Sequence, residues 1–333
     1  MQKPNMFHRI FSCIILLSGY LIINTDNCLA QTTDTGLSAK QIAEIQRKNG
    51  LDPITPLSMR IRDASANVIK LFREAGMSPS QHQLTGEERL KVSKAFAVLP
   101  PLHQRVLKAH LRSINFLDNM PNTALTSQVN DDDQFKLYDI TFRAAILKQN
   151  LSQWITEKER TCFKGGDSSL SVSIVAGELD AIAYVLMHEA THVVDGSLGI
   201  LPNNPSKKSF DSLASGSFTT GIWLDRATIA PKFRDSLLDS TRFRRGGKVF
   251  PLDLAVKTYQ ALGRTPFVSL YSTSSQHEDL AEFVTVYDFT QKLKQPFRIV
   301  IRKNDKDIFS YEPMKSKLVQ SRVKYLKKFY SDI

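Results

Sequence analysis

Ala176-Gly177-Glu178-Leu179-Asp180-Ala181-Ile182-Ala183-Tyr184-Val185-Leu186-Met187 runs without a proline into His188-Glu189-Ala190-Thr191-His192. Apolar residues recur through this stretch at helical spacing, at Leu179, Ile182, Ala183, Leu186, Ala190 and Val193. Gly196 stands just past them, where a helix C-cap glycine belongs. The spacing predicts a helix of about five turns with one buried face. His188 and His192 are i and i+4, so both imidazoles lie near the edge of that face and can reach one metal ion. Glu189 sits beside them, close enough to take a proton from a water at that ion. Upstream, Leu170, Val172 and Ile174 alternate with Ser169, Ser171 and Ser173. That period of two predicts a half-buried strand, expected as the edge strand beside the helix.

H-E-x-x-H on a helix is the spacing of a zinc peptidase site. Such a site needs a third protein ligand and one open position for water. The best candidate lies in Gln276-His277-Glu278-Asp279-Leu280-Ala281-Glu282-Phe283-Val284, where Leu280, Val284 and Tyr287 share a helical face. Glu278 and Glu282 are also i and i+4. Two carboxylates on one face repel each other unless a cation lies near them. The simplest division makes Glu278 the metal ligand and Glu282 the partner that orients a ligand histidine. The same residues fit a plainer purpose, because Ser275-Gln276-His277-Glu278 matches an S-x-x-E capping box. Asp195, in the last turn of the first helix, is disfavoured by the helix dipole and needs compensation from a histidine N–H, an arginine or the metal's field. The plainer reading is a solvated aspartate before a turn glycine. His277 points off the ligand face, which predicts a surface or cleft position.

H-E-x-x-H-x-x-D, followed by a tyrosine seven residues before an E-x-x-A-E helix, resembles the gluzincin zinc metallopeptidases with the anthrax lethal factor type of catalytic domain. The residues that carry the resemblance are His188, Glu189, His192, Asp195, Tyr271, Glu278, Ala281 and Glu282, about thirty residues of chain in all. It implies a Zn2+ ion held by His188, His192 and Glu278, a general base Glu189, a transition-state hydroxyl from Tyr271, and a peptide or protein substrate. Asp195 and Glu282 are then expected to orient the ligands. The chain departs from the family in the step of 86 positions from His192 to Glu278, so specificity does not follow from the resemblance. One rival is a non-catalytic exported envelope or binding protein on a zincin scaffold, for which intact Glu189 and Tyr271 have no use. Another places the same site on a non-peptide amide or ester.

The first thirty residues read as a secretory signal peptide. Lys3 and Arg9 precede an apolar run over 10–23, and Cys28-Leu29-Ala30 offers small residues for cleavage before Gln31. The run is short for a membrane span, so a retained anchor is the lesser alternative. The expected destination is periplasmic or secreted. Cleavage removes Cys13 and Cys28 and leaves Cys162 alone, which excludes an internal disulfide. The segment around Cys162 holds no second cysteine or histidine, so a buried thiol is expected there.

The formal charge of +11 falls to +10 when Lys3, Arg9 and Asp26 leave with the leader. That balance favours acidic substrates or an anionic envelope surface. No nucleic acid is expected, because zinc-finger spacing, RNP-like aromatics and Arg/Gly repeats are missing from the sequence. Lys315, Lys317, Arg322, Lys324, Lys327 and Lys328 fit a solvated helix face.

The expected fold class is α+β, a zincin-like core of mixed sheet and active-site helices behind an N-terminal helical segment. That segment spans 31–100, with capping-box pairs Ser38/Gln41 and Thr85/Glu88 and helical spacing at Ile61, Ala64, Val68, Leu71 and Phe72. Pro100-Pro101 marks a break before a helix over 102–111. The catalytic domain is expected over 101–290. It starts with strands at 112–117, 124–129 and 137–146, the last two separated by the solvated turn Asn130-Asp131-Asp132-Asp133. An insertion at 197–270 is punctuated by Pro202, Pro205, Gly216 and Gly221. It carries the basic turn Arg242-Phe243-Arg244-Arg245-Gly246-Gly247-Lys248, read as a flexible surface loop. Residues 291–333 form a hairpin of 297–301 and 308–311, then an amphipathic helix with Leu318, Val319, Val323, Leu326 and Phe329.

Overall fold

The computed structural model describes residues 37–129, 134–201 and 217–331. The expected signal peptide, the expected polar leader to residue 36, the turn expected at 130–133, and Pro202, Pro205 and Gly216 lie outside the described residues. No helix among the described residues is long and apolar enough to cross a membrane.

The chain folds as mixed α and β structure. Its first helix, α1 (Ala39–Lys48), starts at the Ser38/Gln41 capping box, with both reciprocal hydrogen bonds formed. The second, α2 (Ala66–Glu74), begins at an N-cap, Ser65, so the helical spacing read from Ile61 starts too early. Ile61 instead pairs with Ile114 in an isolated parallel bridge, in which Arg62 N–H donates to Ile114 O and Arg60 O accepts from Ile114 N–H, so extended backbone there satisfies polar groups of both segments. A two-residue strand, β1 (Ser80–Gln81), precedes α3 (Gly86–Ala97), which starts at the Thr85/Glu88 capping box. Pro101 opens α4 (Pro101–His110) at the position where its missing N–H costs nothing.

Three longer strands follow, β2 (Leu111–Asp118), β3 (Ala124–Gln128) and β4 (Tyr138–Arg143). With β1 they make a mixed sheet of order β1-β2-β4-β3, in which β2 and β4 are parallel and β3 runs antiparallel at one edge. The alternation that extends to Ile146 overshoots, since Ala144–Lys148 is a 3-10 turn that buries Ile146 without pairing it. After α5 (Leu151–Arg160), strand β5 (Leu170–Val175) pairs with β6 (Arg298–Lys303), which pairs in turn with β7 (Lys306–Tyr311). The β6–β7 hairpin turns through Asn304 and Asp305, with φ of 48° and 62°. Two consecutive positive φ values are what a right-twisted two-residue hairpin needs, and Asn and Asp tolerate them best after glycine.

Helix α6 (Ala181–Leu198) runs through the centre of the molecule and carries the H-E-x-x-H residues. Every residue from Ala181 to Gly196 is buried, so the helix is enclosed all round rather than on one face. It packs against α3, α4, α5, β3 and α8 (Gln276–Tyr287); α7 (Ala255–Gly263) comes between α6 and α8 in the chain. Gly196 lies inside α6, and the left-handed C-cap is Gly199, at φ 58°. The edge strand beside α6 is β3. Strand β5 belongs to the other sheet, because alternation marks a half-buried strand without naming its partner. The terminal amphipathic stretch is broken into short turns, Lys317–Gln320, Val323–Leu326 and Lys327–Tyr330, which bury Val319, Leu326 and Phe329.

One titrating contact of the N-terminal segment yields a pH-dependent expectation. His82 places Nδ1 3.2 Å from Asp118 Oδ2 and Nε2 3.3 Å from Glu88 Oε2. Burial opposes protonation of the ring, but the two carboxylates outweigh it and raise its pKa. The contribution is therefore complete below the unfolded value of about 6.5 and is lost as pH rises through the raised folded value. In urea titrations, His82→Gln is expected to lose on the order of 0.5 kcal/mol at pH 5 and clearly less at pH 9. An equal loss at both values would remove this role.

Candidate metal centre

Two helices build the centre. α6 places His188 and His192 one turn apart on one side, and α8 brings Glu278 opposite them across 90 residues of sequence. His188 Nε2 is 3.0 Å from Glu278 Oε2, and His192 Nε2 is 3.2 Å from His188 Nε2 and 3.4 Å from the same carboxylate oxygen. All three residues are buried, and together they can hold a metal ion. Ser275 caps α8 by accepting the Glu278 N–H, but the Glu278 carboxylate turns to the histidines instead of back to the N-cap. Half of the plainer capping reading therefore stands, and the carboxylate is left for the cluster.

The electrostatics call for a cation. Burial penalises the Glu278 charge, yet His192 and His188 hold its pKa well below the usual carboxylate range. Burial likewise disfavours a charged His188, but Glu278 and Glu282 push its pKa up to about 9. Two imidazole Nε2 atoms 3.2 Å apart cannot both present lone pairs to each other, so a proton or a metal must lie among them. Metal binding releases those protons.

Glu282 stands behind His188. Its Oε1 lies 3.1 Å from His188 Nδ1 and 3.5 Å from Lys158 Nζ, and its Oε2 accepts from Ser269 Oγ at 2.6 Å and Tyr184 OH at 3.3 Å. Against the cost of burial, Lys158, His188 and Ser269 hold its pKa down to about 2. An ionised carboxylate on Nδ1 leaves Nε2 free to face the cluster, the arrangement that orients ligand histidines.

Glu189 is 5 % exposed and outside the ligand triangle. Its Oε2 accepts a 2.7 Å hydrogen bond from Thr126 Oγ1 on the edge strand β3. Tyr271 opens the 3-10 turn Tyr271–Thr273, with its ring centroid 5.8 Å from that of His188. Asp195 finds its compensation in a histidine N–H, but that histidine is His277. Asp195 Oδ2 is 2.6 Å from His277 Nδ1, and its Oδ1 accepts from Leu201 N at 2.7 Å. Both of its oxygens are thus taken up away from the ligand triangle. His277 is only 5 % exposed, which corrects the expected surface or cleft position: α8 is buried on all sides from Gln276 to Val286.

Two further expectations are corrected by the packing. The basic turn at 242–248 exposes Arg245, Gly246 and Lys248 as a surface loop does, but it folds Phe243 and Arg244 onto the centre. The Phe243 ring meets the Tyr271 ring edge-on at 5.1 Å, and Arg244 Nη1 donates to Thr273 O. Gly247 is obligatory there, because a Cβ would lie 1.8 Å from Thr241 O. Arg322 is 2 % exposed and not on a solvated face. Its Nη1 and Nη2 bond Asp279 at 3.0 and 2.5 Å, and its guanidinium packs against the Phe218 and Phe283 rings, at 3.8 and 4.8 Å. Trp223 Nε1 donates to the same carboxylate at 2.9 Å. Cys162 is buried as expected, and burial raises its thiol pKa.

Sequence reasoning missed Lys158, Thr126, Tyr184, Ser269 and the Asp279–Arg322 pair. Lys158 lies 124 residues from Glu282 and the paired arginine 43 residues from Asp279, and no local motif marks either. Compared with protein-family models, curated proteins and solved structures, the chain matches none.

Proposed function

We propose that this chain is an exported zinc-dependent metallopeptidase, with its α+β fold serving as a zincin-like core. The observation that carries the reading is the triangle of His188 Nε2, His192 Nε2 and Glu278 Oε2, with sides of 3.0, 3.2 and 3.4 Å. Tetrahedral zinc, with ligand bonds of about 2.0–2.1 Å, separates its ligand atoms by about 3.3–3.4 Å. Two imidazoles and one carboxylate are also a zinc donor set that leaves a position for water. When bound, zinc supplies Lewis acidity, which polarises the scissile carbonyl and brings the pKa of water from 15.7 towards about 7.

The residues of the chain do the rest. Glu189 accepts the proton of the attacking water and later delivers it to the leaving amine. Thr126 holds the Glu189 carboxylate from β3. Tyr271 donates its hydroxyl to the oxyanion that forms at the carbonyl. Glu282 fixes the ring orientation of His188. Strand β3, at the edge of its sheet, offers backbone groups against which an extended peptide can lie beside Glu189. The positive balance of the chain suits acidic substrates and an anionic envelope surface.

Elemental analysis paired with peptide-library cleavage tests the reading. The purified protein is expected to hold about one zinc per chain, to cleave peptides, to stop on full chelation and to recover with added Zn2+. Repeated zinc-replete preparations without metal, or cleavage that survives complete chelation, would defeat it.

A further inference from the structure

We infer that Lys158 is a positioning residue of the same reaction, acting through Tyr271: Glu282 anchors its ammonium, and the ammonium fixes the tyrosine ring. The inference rests on the peptidase reading above. Lys158 projects from α5, an element that carries none of the motif residues. Its Nζ lies 3.8 Å from the centroid of the Tyr271 ring and 3.5 Å from Glu282 Oε1. The rings of Trp154 and Phe243 stand farther off, at 5.3 and 6.0 Å.

An ammonium gives up most of its hydration in such a place. The Lys158 side chain is 19 % exposed and its carboxylate partner 1 %. A lysine is retained there only if charge and ring faces replace the lost water, and both are present. Tyr271 is the residue on whose ring face that ammonium bears. It opens a three-residue 3-10 turn, so no long helix fixes its backbone, and its ring is located by its neighbours. Those neighbours include the Lys158 ammonium, the Phe243 ring at 5.1 Å and the His188 ring at 5.8 Å. The cation is the closest of the three, and the buried Glu282 carboxylate holds it there. A hydroxyl that must meet a developing oxyanion depends on where its ring sits, and a misplacement of about 1 Å is enough to cost catalysis.

A plain ion pair with Glu282 would need no tyrosine, and this separates the two roles by experiment. Lys158→Met, Lys158→Arg, Tyr271→Phe and the Lys158→Met/Tyr271→Phe double variant are compared as purified, zinc-loaded protein on one cleaved peptide. Tyr271→Phe is expected to lower kcat about a hundredfold. Lys158→Met is expected to lower kcat about tenfold, with KM and zinc content unchanged, and Lys158→Arg to restore most of it. The double variant is expected to match Tyr271→Phe alone, because ring placement has no further consequence once the hydroxyl is gone. Losses that multiply to about a thousandfold, or an unchanged kcat in Lys158→Met, overturn the inference. Lys158→Gln is run through the same cycle in case the methionine variant folds poorly, and loss of zinc in both neutral variants also overturns it. A wild-type protein that cleaves nothing defeats the peptidase reading itself, an outcome distinct from wild-type cleavage with multiplying losses.

Discussion

Glu189→Gln is expected to keep the metal and the fold while turnover falls by 10²–10⁴-fold, roughly 3–5 kcal/mol of transition-state stabilisation. The ligand triangle uses His188, His192 and Glu278, so the substitution leaves the donor set intact. Glutamine keeps the shape of glutamate, and its amide oxygen can still accept the 2.7 Å hydrogen bond from Thr126 that places the side chain. What it cannot do is accept a proton at neutral pH. The measurement is kcat on a library-derived peptide, alongside zinc content and the thermal midpoint. A wild-type rate in the variant would move proton transfer to another residue, and a loss of zinc would make Glu189 part of the donor set.

Arg322→Met is expected to cost about 3–5 kcal/mol of folding stability, the usual penalty for removing one member of a buried ion pair. Asp279 is fully buried, and without the arginine its remaining recorded side-chain donor is Trp223 Nε1. Burial already raises the pKa of Asp279 against the pull of Arg322, so the variant would either strand a charge or take up a proton. Arg322 also donates to Pro266 O and packs on Phe218 and Phe283, which ties the C-terminal turns to residues 218 and 266 and to α8. Urea unfolding reads the effect directly. The Asp279→Leu/Arg322→Met double variant should lose much less than Arg322→Met, because the stranded carboxylate is gone. A loss below about 1 kcal/mol in the single variant would show that the pair does not hold this end of α8 in place.

Short-range chemistry was legible from the residues. The pairs Ser38/Gln41 and Thr85/Glu88 close as capping boxes because each bond spans three residues of one turn. The 298–311 hairpin was readable for the same reason, since two strands and the Asn304-Asp305 turn lie side by side in the chain. Where local patterns conflicted with neighbours, they misled. Ile61 has helical spacing but joins the sheet through Ile114, and Gly196 looks like a C-cap but sits inside a helix that ends at Leu198. In both cases tertiary packing outweighed a weak local preference.

The sequence by itself determined that His188, Glu189 and His192 share one helix, and that Glu278 and Glu282 share another at i, i+4. Helical periodicity alone sets those neighbours, whatever the rest of the chain does. Only the tertiary structure decided that Glu278 meets the histidines within 3.4 Å, that Lys158 lies over Tyr271, that Asp195 pairs with His277, and that β3 rather than β5 flanks α6. It likewise turned Arg322, a residue in a basic stretch that suits solvent, into the buried partner of Asp279. The physical reason is common to all of these. A side chain's type and spacing state what it can bond, but the partner is chosen by which elements the core brings together, and burial is what makes an unmatched charge or donor too costly to leave.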